Sequence, residues 1–254
     1  MKWPQVEIAT PTGLQSAIAP EIISASRSTD IPAFYAEWFM NRLRQGYVKW
    51  LNPFNHRHRY VSFENVRAIV FWSKNPSPLR SFLGEIDRRC IAYYVHFTVN
   101  DYEAEGLEPG VPPLGQRIEA FKQLSQQIGK DRVIWRFDPL IASAGLDVGR
   151  LVDKVRRVGD EIAAYTTKLV FSFADISVYR KVQNKLKRAG ITYREFDEPM
   201  MIEAAHGIAS LCKGWEIAAA TCAEPVDLTQ FGVKRNKCVD DNLIGKLTNN
   251  DPRV

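Results

Sequence analysis

The sequence predicts an α/β protein on a parallel sheet of about six β/α units, favoured as a TIM-like barrel, complete or partial, with a small β-hairpin excursion after the first helix. Three observations carry this. Short β-branched and aromatic runs recur along the chain, most of them almost continuously apolar, as strands buried on both faces are. Amphipathic helical patterns fall between those runs. No glycine-rich phosphate loop follows the first strand, because Ser24-Ala25-Ser26-Arg27 contains no glycine. That absence argues against a dinucleotide-binding open sheet and against a P-loop, leaving the barrel as the favoured form.

The runs are Glu21–Ala25, Ala68–Trp72, Ala92–Thr98, Arg132–Phe137, Lys168–Phe173 and Glu216–Ala220. After the first, Asp30 caps a helix whose early Pro32 loses no hydrogen bond there. Phe34, Trp38, Phe39 and Leu43 supply its apolar face. Tyr47–Trp50 and Arg59–Phe63 pair as the hairpin, around Asn52-Pro53-Phe54-Asn55. Ile118, Phe121, Leu124 and Ile128 form one helix face, and Val148, Leu151, Val152, Val155 and Ile162 another. A third helix runs through Tyr179, Val182 and Leu186. A fourth starts near Pro199 and carries Ala204, Ala205, Ile208 and Leu211. In domain terms, residues 1–20 read as an N-terminal extension, 21–247 as one partial-barrel domain with the hairpin insertion near 47–63, and 248–254 as a polar tail.

The 254 residues are 45% hydrophobic and 25% charged, ample for a core and unlike a disordered chain. No apolar run reaches the ~18–20 residues of a membrane span, and no basic-then-apolar leader opens the chain. The expectation is a cytoplasmic protein without a membrane partner. With 34 Lys+Arg against 29 Asp+Glu, the net charge of +5 admits a nucleic-acid partner but supports it weakly. Cys90, Cys212, Cys222 and Cys238 form no CxxC or CxxxC pair, so no zinc or iron–sulfur spacing is present.

Barrels gather catalytic groups where strands end. Those positions here are polar: Ser24, Ser26, Arg27, Ser28, Thr29 and Asp30; Ser73, Lys74 and Asn75; His96, Thr98, Asn100 and Asp101; Arg136 and Asp138; Ser172 and Asp175; Thr221, Cys222 and Glu224. Each has a plain alternative. Asp30 serves as a helix cap. Arg136 and Asp138, two apart on a strand, share a face as either an ion pair or a substrate clamp. His96 reads as a hydrogen-bonded core histidine, and Cys222 as a small buried residue. Together they define a convergent polar pocket. Arg27, Lys74 and Arg136 suit a carboxylate or phosphate, and Asp30, Asp138 and Glu224 suit hydroxyl or amino groups. His56 and His58 look like a metal motif, but a solvated basic turn is the simpler account, as it is for the basic run Arg180–Arg188.

Several of these stretches resemble a bacterial family catalogued as a domain of unknown function, related to the spore photoproduct lyase branch of the radical SAM enzymes. They are Ile23–Tyr35, Asn52–Phe54, Ile69–Pro76, Leu107–Pro112, Arg132–Pro139, Thr221–Glu224 and Lys237–Asp240. The match covers roughly Ile22 to Leu247. The link to the lyase branch rests on Leu107–Pro112, Arg117 and Arg136–Pro139. The resemblance implies a radical SAM-type six-unit partial barrel, which agrees with the strand count. It also implies a [4Fe–4S] cluster on three cysteines, which reduces S-adenosylmethionine to a carbon radical.

Typical members carry those cysteines after the first strand, where this chain has Ser26-Arg27-Ser28-Thr29-Asp30. Fuller members of the resembling family carry a cysteine-rich segment after the barrel, about where this sequence reaches Val254. A truncated form and a member that has lost cluster chemistry are both open at this point. The expectation is therefore that an intact form binds cluster and S-adenosylmethionine. Asp30, Asp138 and Cys222 are the candidate catalytic residues, and Arg27, Lys74, Arg136, Ser172 and Glu224 the candidate cofactor-binding ones, with no metal ligand among them. Two rivals stand beside this: a cluster-independent barrel hydrolase or isomerase using strand-end carboxylates, and a non-catalytic nucleic-acid-binding module.

Overall fold

The computed structural model describes residues 3–25, 29–52, 55–178, 180–188, 190–222 and 226–248. In chain order the elements are β1 (Gln5–Thr10), β2 (Gly13–Ile18), β3 (Ile22–Ala25), α1 (Ile31–Phe34), α2 (Ala36–Gln45), β4 (Tyr47–Leu51), β5 (His58–Ser62), β6 (Ala68–Ser73), α3 (Leu83–Arg88) and β7 (Ala92–Thr98). They continue as α4 (Leu114–Ile128), β8 (Val133–Leu140), β9 (Ala142–Ser143), α5 (Val148–Ile162), β10 (Lys168–Phe173), α6 (Arg180–Arg188), β11 (Tyr193–Arg194), α7 (Glu198–Gly214), β12 (Ala218–Thr221), β13 (Lys234–Arg235) and α8 (Asp241–Leu247). The fold is mixed α/β with a seven-stranded parallel sheet in the order β13-β12-β10-β8-β7-β6-β3. All six apolar runs are strands of that sheet, and β13 is an addition too short to be read from sequence. The chain divides into two compact units, one up to Val95 and again from Val239, the other His96–Cys238.

In the first unit, β3 and β6 pair in parallel from Ile22↔Ala68 to Ala25↔Phe71. The predicted hairpin forms as antiparallel β4 and β5, Tyr47↔Ser62 to Leu51↔His58. The segment read as an N-terminal extension contains a second hairpin, β1–β2, which joins it in a four-stranded sheet of order β1-β2-β5-β4. Ile8, Ala17 and Tyr47 form its small buried cluster. The first helix differs from expectation: the chain breaks at Tyr35 into α1 and α2. That break shifts the helical phase, so Ala36, Phe39, Met40 and Leu43 face inward, while Phe34 and Trp38 are 71% and 45% exposed. Gly46, at φ +86°, ends α2 by donating its N–H to the carbonyls of Arg42 and Leu43, a conformation that favours glycine.

In the second unit, β8, β10, β12 and β13 run parallel. Trp135, Phe137, Leu169, Val170 and Phe171 are buried there, and each such side chain contributes roughly 1.5–3 kcal/mol. Helix α4 buries Phe121 and Leu124, and α5 buries Val148, Leu151, Val155, Val158 and Ile162, matching the predicted stripes. Asp147 and Asp197 cap α5 and α7 through the amides of Arg150 and Met200 (2.9 Å each), with Pro199 in the first turn of α7. Helix α6 begins at Arg180; Tyr179, counted in its pattern, lies outside the described residues. Strand β12 starts two residues later than expected, because Glu216 (φ +58°) belongs to the turn after α7. Gly159 on α5 lets the Trp215 indole lie against the helix: a Cβ there would come within 2.0 Å of the ring.

Candidate functional site

The second unit's polar cluster arises at the C-terminal ends of β8, β10 and β12. Register equates Arg136 with Val170 and Val170 with Ala220. Arg136, Ser172 and Cys222 therefore emerge on one face, since side chains alternate along a strand. Between Phe171↔Phe137 and Phe173↔Leu140 the ladder slips, β8 contributing one extra residue. Such a bulge re-aims a side chain. Here it falls at Asp138, whose bond to Pro139 is a cis peptide.

Arg136 and Asp138 form the ion pair allowed by their spacing. Arg136 Nε donates to Asp138 Oδ2 at 2.9 Å, and a second guanidinium nitrogen contacts the same oxygen. The Ser172 hydroxyl donates to Asp138 Oδ1. Arg136 is 4% exposed. Burial works against its charge, but the Asp138 carboxylate and the hydrogen bonds to it outweigh that and hold the guanidinium above its usual value. The sulfurs of Cys222 and Cys238 lie 3.3 Å apart. His96 is buried, and its Nε2 donates to the Cys238 carbonyl (3.2 Å). Burial, aided by the Arg136 charge, holds this imidazole well below its usual value and hence neutral. It is the core histidine expected from its strand.

A second layer fixes Asp138 in place. Asn100, 1% exposed, accepts from the Asp138 amide (2.9 Å) and donates to the Asp138 carbonyl (3.2 Å) and to Glu108 Oε1 (3.0 Å). Arg117, equally buried, donates to the carbonyls of Pro112 (2.8 Å) and Asn100 (3.0 Å) and pairs with Glu108 at 3.4 Å. Tyr102 OH donates to the Pro139 carbonyl (2.9 Å) and accepts from the Ile141 amide (3.0 Å). Burial raises that phenol far above its usual value. The hold of Asn100 and Tyr102 on the Asp138–Ile141 segment is invisible in local sequence, because those partners lie 37 to 39 residues away.

In the first unit, Asp30 is a cap and more. Its Oδ1 accepts from the Ala33 amide (3.0 Å) and its Oδ2 from the Lys74 amide (2.8 Å), tying the loop after β6 to the start of α1. Ser73 Oγ accepts from the Asn75 amide (2.9 Å). Arg27 and Glu224, with Ser26 and Ser28, lie outside the described residues. His56 and His58 are exposed on the hairpin turn. The same unit holds a cavity of about 720 Å³ that no sequence pattern announced, lined by Trp3, Tyr35, Trp38 and Trp50 with Arg42 and Arg59. Arg42 Nε is buried there without a hydrogen-bond partner among the described residues.

A [4Fe–4S] cluster bound as in radical SAM enzymes needs three neighbouring thiolates. Among the described residues no three His, Cys, Asp or Glu side chains are grouped to hold a metal ion. Cys222 and Cys238 make a pair; Cys212 is buried in α7, its thiol pushed up by burial to about 12; Cys90 is exposed in the first unit. These residues do not fit a cluster by themselves.

Fold and site together define a mixed α/β protein with a hydrogen-bonded polar network at the ends of parallel strands. The chain belongs to the family described as domain of unknown function DUF1848, which matches residues 22–253. No curated protein and no solved structure matches it. Among the described residues, no helix is long and apolar enough to cross a membrane.

Proposed function

We propose that the protein is an enzyme of the radical SAM type, built as a partial (β/α)6 barrel, and that the Arg136–Asp138–Ser172 network orients polar groups of S-adenosylmethionine or substrate. One observation carries the reading. Ser172, Asp138 and Arg136 form a continuous hydrogen-bonded chain at the C-terminal ends of two adjacent parallel strands, where α/β proteins bind ligands. Within it Arg136 supplies a fixed positive charge for a carboxylate, and Asp138 supplies acceptors for an amino group or hydroxyl. Asn100 and Arg117 keep Asp138 in position. All four cysteines of the chain are described and do not group as a cluster site, so no step of this reading passes through a cluster.

Titration of the folded chain with S-adenosylmethionine by calorimetry tests this, with and without anaerobic reconstitution with iron and sulfide. Saturable binding is expected, weakened at least tenfold in Asp138→Asn. A folded chain that binds no S-adenosylmethionine under either condition overturns the proposal. The second reading is a cluster-independent hydrolase or isomerase, favoured by the Ser172 hydroxyl donating to the Asp138 carboxylate, a pair able to pass a proton. Turnover by iron-free protein that Ser172→Ala abolishes would favour it.

A further inference from the structure

Cys222 and Cys238 arrive from different strand ends, sixteen positions apart, yet their sulfurs lie 3.3 Å from each other. Both ends are anchored. The Cys222 amide donates to the Phe171 carbonyl (3.2 Å), extending the β10–β12 pairing by one residue. The Cys238 carbonyl is held by the buried His96 imidazole. The sulfurs differ in surroundings. Burial and the adjoining Cys222 sulfur push the Cys238 thiol up. Cys222 is half-buried and Cys238 exposed, so a small reagent can reach the pair. Closing the sulfurs to the roughly 2 Å of a disulfide requires a shift of about 1 Å.

We propose that Cys222 and Cys238 are a redox-active dithiol that exchanges with low-molecular-weight disulfides of the glutathione class. Cys222 gives its proton to solvent and attacks one sulfur of the small disulfide; that S–S bond breaks, and the departing thiolate takes a proton from solvent. Cys238 gives its proton to solvent and attacks the mixed disulfide left on Cys222. The Cys222–Cys238 bond forms as the mixed disulfide breaks, and the second small thiolate leaves and takes a proton from solvent. In sum the protein dithiol loses two electrons and two protons, and the small disulfide gains both as two thiols. This site does not depend on the enzyme reading above.

The test equilibrates the reduced full chain, freed of metal by a chelator, in a series of glutathione redox buffers. Free thiols are then trapped by alkylation and located by peptide mass spectrometry. Expected results are a Cys222–Cys238 disulfide that rises with oxidising poise, Cys212 alkylated only after denaturation, and a glutathione adduct trapped on Cys222 in Cys238→Ser. The proposal is overturned if Cys222 and Cys238 stay alkylatable across the whole series, or if Cys238→Ser traps no adduct on Cys222. Protection of both thiols that appears only when the chelator is omitted also overturns it, in favour of a metal site.

Discussion

Replacing Asn100 by alanine removes one side chain and disconnects three groups. The Asp138 amide, the Asp138 carbonyl and one Glu108 carboxylate oxygen each lose a partner, at 2.9, 3.2 and 3.0 Å, in a place where Asn100 itself is 1% exposed. A neutral hydrogen bond is worth about 1 kcal/mol net, a bond to a charged group about 1.5–3, and buried groups left unpaired raise the cost. The expected loss for Asn100→Ala is therefore about 3–5 kcal/mol, a large share of the roughly 5–15 kcal/mol that stabilises a domain. Asn100→Asp is the sharper variant. It keeps an acceptor for the Asp138 amide but sets a carboxylate oxygen against Glu108. It should lose a similar amount at pH 7 and regain part of it in mild acid, as one of the two carboxyls takes up a proton. Urea unfolding followed by circular dichroism, at pH 7 and pH 5, measures both. A loss below about 1 kcal/mol for Asn100→Ala, or Asn100→Asp as stable as the parent at pH 7, would refute the view that Asn100 holds Asp138.

Three further outcomes are expected. Gly159→Ala puts a methyl 2.0 Å from the Trp215 ring, which lies 5.9 Å from Trp135 and donates to Asp160 at 3.0 Å; a loss of about 1–3 kcal/mol with a change in tryptophan fluorescence should follow, and an unchanged melting curve would contradict it. Asp30→Ala removes the α1 cap together with the Lys74 tie and should cost at least the ~1 kcal/mol of a cap, whereas Asp30→Ser keeps the cap alone and should lie between; three coincident denaturation midpoints would argue against both bonds. His96, neutral in the fold, has its value depressed below the ordinary 6.5, so the unfolded chain binds its proton first. Stability should hold level above that pH and fall below it by up to ~1.4 kcal/mol per unit until the folded imidazole protonates. His96→Asn should flatten that limb, and an identical acid limb in the variant would count against the assignment.

The strands were legible in the sequence because burial on both faces writes itself as continuous apolar runs. The long helices were legible because burial on one face writes itself at a 3.6-residue period. The cap at Asp30 was legible because it bonds an amide three residues on, as local as the sequence itself; the same bond at Asp147 and Asp197 was found only in the structure. The β1–β2 hairpin had only a faint alternation, since it gives just Val6, Ile8 and Ala17 to a small core shared with Tyr47 and Tyr60. The break at Tyr35 altered which aromatics face inward without altering the composition of the helix.

The site divides the same way. Sequence alone determined that Arg136 and Asp138 share a face, because two residues on a strand always do. Only the tertiary structure decided that Ser172 bonds Asp138, that Asn100 clamps its backbone, and that Cys222 meets Cys238. Those pairings depend on strand register and on a one-residue bulge, and shifting a strand by a single residue would turn every one of these side chains to the opposite face.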